Sequence, residues 1–137
     1  ACNLSTVNCS KIKTEEDFYD ACKAASIIGT LQAGFDTFEY LGETSENIIR
    51  REALLGVSMT GMMESPDICL DPATQKKGAS IVKKVNASLA KRIGVNQAAR
   101  TTCIKPEGTS SCILGTSSGI HPHHAKRYIR RVQANKM

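Results

Sequence analysis

The segment from Lys105 to Ser111 reads KPEGTSS and carries the residue types of a loop that holds an anion. It follows a β-branched run and precedes a predicted short helix, and the backbone N–H groups at a helix start favour anions. Gly108 lets a ligand approach the backbone, while Thr109, Ser110 and Ser111 supply hydroxyl groups for phosphate oxygens. These residues alone support a phosphate loop and a plain Ser/Thr helix cap equally, because no Walker-type lysine follows.

Three histidines follow this loop, His121, His123 and His124, and they raise the alternative of a zinc site. A structural zinc site needs four ligands, and the sequence offers neither a Cys-x-x-Cys pair nor a second histidine pair. Pro122 lies between the histidines and favours a loop. Surface or packing histidines are therefore the better interpretation.

The chain has six cysteines with irregular spacing, which is not the pattern of a disulfide framework. We expect reduced thiols, most of which act as small buried hydrophobes. Cys112, inside the loop region, is expected to be a packed helix residue. The cysteines are Cys2, Cys9, Cys22, Cys69, Cys103 and Cys112.

Composition indicates one globular domain of 137 residues with a net charge of +5, carried mostly by the second half of the chain. Such a bias suits nucleic acid or a phosphate-bearing small molecule, but without interleaved aromatic residues we expect no direct nucleic-acid binding. No apolar run reaches the roughly 20 residues of a membrane span, and no secretory signal is recognisable. These features predict a cytoplasmic protein.

The apolar periodicity predicts alternating helices and strands, which is typical of an α/β layer or barrel. Predicted helices begin at Thr14, Thr44 and Asp71, each a residue type that favours a helix N-terminus. The third helix is expected to end near Gly94. The remaining predicted elements are strands over residues 57–63, 100–105 and 127–132 and a short helix over residues 109–115.

Three separate segments together resemble the large catalytic chain of ribonucleotide reductases. They are Cys2-Asn-Leu-Ser5, the basic pair Arg50-Arg51 ahead of a strand, and the run from residue 101 to 131 that contains TTCIKPEGTSS, TSSGIHP and RYIRR. The HPHHAKRYIRR tail is most similar to the adenosylcobalamin-dependent (class II) branch, particularly its triphosphate-reducing members. The resemblance implies the C-terminal part of a ten-stranded α/β barrel, with residues 1–137 as a partial catalytic barrel domain.

The resemblance also implies a reaction, the conversion of ribonucleotides to 2′-deoxyribonucleotides by thiyl-radical chemistry. A thiyl radical on another cysteine would remove the 3′ hydrogen, the 2′ hydroxyl would leave as water, and a cysteine pair would be oxidised. Cys2 would be one of these reducing thiols, and Leu4 would lie against the nucleotide. The residues implied to line the phosphate and ribose are Pro106, Glu107, Gly108, Thr109 and Ser110, with Ser111 nearby.

The implied partners follow from the same resemblance. They are a ribonucleoside di- or triphosphate, adenosylcobalamin held mostly by other parts of the enzyme, and thioredoxin or glutaredoxin as the reductant of the disulfide. The Asn-x-Cys-x-Glu segment of the family, its second redox cysteine, its effector region and its C-terminal shuttle cysteines have no match in this sequence. We therefore expect an interior segment that needs the missing enzyme segments and is inactive alone. The alternative is a basic phosphate- or nucleotide-binding module without redox chemistry.

Overall fold

The computed structural model describes residues 3–129 and 131–135, and these form a mixture of helices and strands that confirms the α/β class predicted from the sequence. No helix in the described part of the chain combines the length and apolarity that crossing a bilayer needs. The elements in chain order are β1 (Asn3–Asn8), α1 (Glu15–Gln32), α2 (Gly42–Glu52), β2 (Leu55–Thr60), α3 (Pro66–Cys69), α4 (Pro72–Ile93) and α5 (Gly108–Leu114), with 3-10 turns at Cys9–Lys11 and Met62–Glu64.

The two strands form a parallel pair in which Asn3 lies opposite Leu55 and Asn8 lies opposite Thr60. A third segment runs parallel along the free edge of β2. The N–H of Val57 donates to the carbonyl of Thr101 at 3.0 Å, and the N–H of Cys103 donates back to Val57 at 3.0 Å. The carboxyl ends of all three segments therefore lie at the same end of the sheet.

Helices α1 and α4 cover one face of this sheet and make the core with it. Val7 and Val57 point into that core from the two strands, and Phe18 and Val82 meet them from the helices. Gly78 permits the close approach of the helices, because a Cβ there would lie 2.6 Å from the ring of Phe18. The opposite face of the sheet is left for the loops that follow the strands.

A buried polar bridge fixes α4 to α1 and to the chain beyond it. The Asn86 side chain donates to the Thr30 hydroxyl at 3.0 Å, and its oxygen accepts from the N–H of Ala98 at 2.9 Å. Asn86 is 1% exposed, so each of these groups depends on a protein partner. The bridge therefore sets where the third parallel segment begins.

Local signals at two helix starts are confirmed. Thr14 and Asp17 form a capping box at α1, in which each side chain accepts from the other residue's backbone N–H. The Asp71 carboxylate caps α4 by accepting from the N–H of Thr74 at 2.6 Å. Gly94 ends α4 with a left-handed φ of 78°.

Other boundaries differ from the sequence prediction. The second helix begins at Gly42, two residues before Thr44, and has no side-chain cap. The strand expected over residues 57–63 occupies Leu55–Thr60, because Gly61 adopts a left-handed φ of 69° and turns the chain. The short helix predicted over residues 109–115 is confirmed as Gly108–Leu114.

Two of the predicted strands are not regular strands. Residues 100–105 are extended but make a single bridge, Thr102 with Val57, because the loop that follows leaves the sheet at once. The prediction over residues 127–132 is wrong for the positions described there, 127–129 and 131–132, which are exposed and form no strand. A β-branched run without a neighbouring strand gains no ladder hydrogen bonds. Position 130 lies outside the described residues.

Candidate functional site

The predicted anion loop begins where the third parallel segment leaves the sheet. The N–H of Lys105 donates to the Ser58 hydroxyl at 3.0 Å, which fixes the loop on the face opposite α1 and α4. Ligands of open parallel sheets bind outside the carboxyl ends of the strands, where the following loops meet. The fold therefore places the loop where the topology favours a binding site.

Glu107 connects this loop to β1 through a compact polar network. The Thr6 hydroxyl donates to Glu107 Oε1 at 2.7 Å, and Lys105 Nζ lies 3.1 Å from the same oxygen. Lys105 Nζ also donates to the Thr6 hydroxyl at 3.1 Å. The network joins residues about a hundred positions apart, and neither Thr6 nor Lys105 was predicted as a site residue from the sequence.

The Glu107 carboxylate is charged and enclosed. Burial would raise the pKa of this carboxyl, but the Ser110 and Thr6 hydroxyls and the Lys105 ammonium lower it, and the net shift is downward. Its side chain is 0% exposed, and Oε2 has no hydrogen-bond partner among the described residues. Glu107 also holds a left-handed φ of 57°, which is strained for a residue with a Cβ.

Leu4 lies two residues before Thr6 in β1 and on the same face of the sheet. Its side chain covers Gly56 of β2, where a Cβ would collide with Leu4 Cδ2 and lie 3.0 Å from Cys103 Sγ. Leu4 is 45% exposed, so an apolar surface remains open beside the polar network. The structure thus brings the predicted residues Leu4 and Glu107 onto one face. Cys2, the predicted reducing thiol, lies outside the described residues.

The hydroxyl groups of α5 are not equivalent. The Ser111 hydroxyl is buried and donates to the carbonyl of Gly108 at 3.0 Å, so its proton is already used. Thr109 is exposed and Ser110 is half-buried, and both keep hydroxyls near the start of the helix. A Cβ on Gly108 would meet nothing within 4 Å, which leaves open space above its backbone. Pro106 is exposed at the entry of the loop.

A second loop, Thr116 to Gly119, lies against the first and was missed as part of the site. The Ser118 hydroxyl donates to the carbonyl of Pro106 at 2.6 Å, which joins the two loops directly. The N–H of Gly119 donates to the Thr60 hydroxyl at 3.0 Å, which ties the second loop to the end of β2. The Thr, Ser and Gly residues after α5 repeat the residue types of the first loop, which is a signal in the sequence. Hydrogen bonds to distant residues determine where this second loop lies.

The two loops border a pocket of about 670 Å³ beside α5. Its lining includes His121, His123 and His124, the histidines for which the sequence raised a zinc site. His123 Nε2 lies 3.4 Å from Glu64 Oε1. The His124 ring meets Tyr128 edge to face at 5.6 Å. Among the described residues no group of three or more His, Cys, Asp or Glu could hold a metal ion, so the zinc alternative gains no support.

The cysteines divide into two groups, and the expectation for Cys112 is wrong. Cys9, Cys22 and Cys69 are buried in the core, where desolvation raises the pKa of Cys22 to about 11. Cys9 also has a raised pKa, caused first by its hydrogen bond with Cys69 and then by burial. Cys112 is exposed rather than packed, because it occupies the outer side of a short helix, with its Sγ 3.4 Å from the Gly108 carbonyl.

Comparison with known proteins identifies relatives of one kind. The chain is 25% identical to an adenosylcobalamin-dependent ribonucleoside-triphosphate reductase of Lactobacillus helveticus over 87% of its length. It is 26% identical to the protein of the same name from Lactobacillus acidophilus over 81% of its length, and 22% identical to that of Lactobacillus leichmannii over 96%. No family model matches the chain.

The fold has a counterpart among solved structures, a B12-dependent (class II) ribonucleotide reductase. The two superpose with a TM-score of 0.71 at 21% identity, over 90% of this chain and 21% of that one. The chain likewise spans about a fifth of the length of the curated relatives it matches, 20% for the Lactobacillus helveticus protein. The resemblance to ribonucleotide reductases of the adenosylcobalamin-dependent branch, predicted from the sequence, is therefore confirmed over most of this chain.

Proposed function

We propose that this chain forms part of a ribonucleotide reductase that converts ribonucleotides to 2′-deoxyribonucleotides for DNA synthesis. The observation that carries the proposal is the network of Thr6, Lys105 and Glu107. It joins the two segments that separately resemble the nucleotide-contacting parts of that family. The similarity of the chain to triphosphate reductases supports the same conclusion.

The architecture supports a place in the C-terminal part of a ten-stranded catalytic barrel. The two long helices that pack on the three parallel segments, α1 and α4, lie on the same face, as in the wall of an α/β barrel. The opposite face presents small and polar side chains at Thr6, Gly56 and Ser58, with Leu4 beside them. In this proposal that face lines the barrel interior, and residues 1–137 are one section of the catalytic domain.

The loop residues take complementary roles in binding the ribonucleotide. The exposed backbone at Gly108 and the hydroxyls of Thr109 and Ser110 bind a phosphate, with Pro106 stiffening the loop entry. Ser111 supports the loop through its bond to Gly108 and does not donate to the ligand. Leu4 packs against the nucleotide, and Glu107 holds the loop against β1. The substrate is a ribonucleoside di- or triphosphate.

The redox chemistry rests on Cys2 and a second cysteine outside this chain. Removal of the 3′ hydrogen by a thiyl radical lets the 2′ hydroxyl leave as water, and two thiols are oxidised to a disulfide as the ribose is reduced. A thioredoxin-type reductant, thioredoxin or glutaredoxin, then returns the disulfide to thiols. Cys2→Ser in the reconstituted enzyme should abolish multiple turnover and leave nucleotide binding unchanged. Full turnover by that variant would contradict the assignment.

Adenosylcobalamin is the cofactor named for the relatives, and we propose it for the whole enzyme. The described residues do not fit it themselves. The apolar cavity between the sheet, α1 and α4 holds about 250 Å³, and the pocket beside α5 is too open to enclose a corrin. The segments that bind it are therefore assigned to other parts of the enzyme. We propose that the chain is inactive without those parts and that the enzyme is cytoplasmic.

Gly108→Ala tests the nucleotide site without disturbing the fold. The added Cβ meets nothing within 4 Å, so the free energy of unfolding should stay unchanged. A methyl group at this point would obstruct a phosphate that approaches the backbone, and we expect ribonucleotide affinity to fall by about tenfold or more, measured by isothermal titration calorimetry. Ile113→Ala, on the exposed side of the same helix, is the control. Equal affinity for Gly108→Ala and the unmodified protein would refute the site.

A further inference from the structure

Ser117 presents a buried hydroxyl that the fold itself does not use. The residue is 3% exposed, and its Oγ has no hydrogen-bond partner among the described residues. Its backbone is tightly fixed, since its N–H donates to Glu64 Oε1 at 2.7 Å and its carbonyl accepts from Gly61 at 3.1 Å. The Thr60 hydroxyl donates to the same carbonyl at 3.1 Å. The backbone of Ser117 is therefore fixed in the wall of the pocket beside α5, and its hydroxyl is unpaired among the described residues.

An unpaired buried hydroxyl costs stability, because it has lost its hydrogen bonds to water. A binding site recovers that cost when a ligand supplies the missing partner. The position of Ser117 is consistent with this, since Ser117 lines the same pocket as Gly108 and Cys112 of α5. The second loop therefore contributes an unpaired hydroxyl to the wall of the pocket that the start of α5 also borders.

The charge of the pocket wall indicates which kind of ligand supplies the partner. Arg131, which stays charged at every physiological pH, lines the pocket together with His121 and His124. None of the described residues that line it is acidic. The neighbouring carboxylate, Glu64, already accepts a hydrogen bond from the N–H of Ser117. The pocket therefore favours an anion with oxygen acceptors.

The size of the pocket indicates more than one anionic group. A volume of about 670 Å³ lies in the middle of the range for small-molecule sites and exceeds what a single phosphate needs. The first phosphate is assigned to the start of α5 near Gly108. The second loop and Arg131 line the same pocket.

We propose that Ser117 and Arg131 form a subsite for the distal phosphates of a nucleotide bound at the loop of residues 106–111. The Ser117 hydroxyl donates to a phosphate oxygen, and the Arg131 guanidinium pairs with the phosphate charge in the forked geometry that arginine provides. This inference rests on the proposed function for the position of the first phosphate. It assigns specificity for phosphate-chain length to a loop that the sequence prediction left outside the site.

The test compares a ribonucleoside monophosphate, the matching triphosphate and inorganic tripolyphosphate by isothermal titration calorimetry. Ser117→Ala and Arg131→Gln should each weaken binding of the triphosphate and of tripolyphosphate by about tenfold, and leave monophosphate affinity unchanged. Lys126→Gln removes the same charge a few residues away from outside the pocket lining, and it should have less than a threefold effect.

Ser117→Ala should fold as well as the unmodified protein, because the Oγ it removes has no partner in the described structure. Unchanged triphosphate and tripolyphosphate affinity in both variants would overturn the subsite, as would an equal loss for the monophosphate or failure of tripolyphosphate to bind at all. Tripolyphosphate binding that depends on Ser117 and Arg131, without monophosphate binding, would support the subsite while contradicting the nucleotide site at Gly108.

Discussion

Glu107 shows how one residue can belong to a binding loop and still serve mainly to position it. Its carboxylate points inward to Thr6 and Lys105 rather than outward to a ligand. A carboxylate exposed at this point would repel phosphate. Buried and paired with Lys105, it instead fixes the loop at a constant distance from β1, where Leu4 lies.

The network predicts a specific dependence of stability on pH. The fold lowers the pKa of Glu107 below its ordinary value of 4.5, so the carboxylate stabilises the fold above that value. The contribution is lost as the pH falls through the folded-state pKa. Glu107→Gln should therefore lower the free energy of unfolding by about 1–3 kcal/mol at pH 7, measured with urea, and the difference should shrink in acid.

Glu52→Gln is the matched control for this substitution. Glu52 pairs with Arg51 at 3.2 Å, but the Arg51 side chain is exposed and the Glu52 side chain partly so, and such pairs contribute about 0–1 kcal/mol. A loss of stability for Glu107→Gln no larger than that of Glu52→Gln would show that the network does not hold the loop. A difference that grew in acid would contradict the direction of the pKa shift.

For single residues, the sequence predicts which residue types a site contains better than it predicts where their side chains point. Gly, Thr and Ser between a strand and a helix indicate a loop that could bind an anion, and the structure places Thr109 and Ser110 at the helix start accordingly. The inward direction of Glu107 depends on Thr6, about a hundred residues earlier. A contact between distant segments leaves no periodic signal in a single sequence.

Among the elements, α4 determines where the third parallel segment runs. Asn86 carries this role, because it bridges Thr30 of α1 and the N–H of Ala98 ahead of that segment. Helix periodicity identifies α4 but does not identify the bridge, since Asn occurs equally on exposed faces. Its buried position follows only from the packing of α4 on α1.

Asn86→Ala should destabilise the protein by about 2–4 kcal/mol, because two hydrogen bonds are lost and the buried N–H of Ala98 has no acceptor. Chemical denaturation measures the change. Asn96→Ala is the control, since Asn96 is exposed and donates one hydrogen bond to the carbonyl of Arg50 at 3.0 Å. Its cost should be about 1 kcal/mol or less. Similar costs for the two variants would contradict a structural role for the bridge.

Element boundaries were predictable where the signal is local. Thr14 and Asp71 both cap helices as expected, because capping depends on residues three positions apart. The strands expected over residues 100–105 and 127–132 depend instead on neighbours supplied by distant parts of the chain. One gained a single bridge to β2, and the described positions of the other gained none.

On the scale of the whole molecule, two basic surfaces compete as the place where phosphate would bind. One is formed by the pocket and the loops around α5, with Lys105 and Arg131. The other is the lysine-rich surface of α4, which includes Lys77 over the ring of Tyr19 at 4.1 Å. The proposed ribonucleotide reductase segment would use the first surface, whereas a general polyanion-binding module would use the second.

The fold favours the first surface, because it lies at the carboxyl ends of the parallel segments. The net charge of +5 does not separate the two surfaces, since it describes the chain and not a site. Only the position of the bound nucleotide distinguishes them.

The most direct measurement is a titration of the isotope-labelled protein with a ribonucleoside triphosphate, followed by amide chemical shifts in ¹H–¹⁵N correlation spectra. The account predicts saturable changes that are largest at Leu4, Thr6, Gly108 and Ser110, which the fold brings to one side of the sheet. Changes concentrated along the lysine-rich surface of α4, or no saturable change at those four residues, would contradict it.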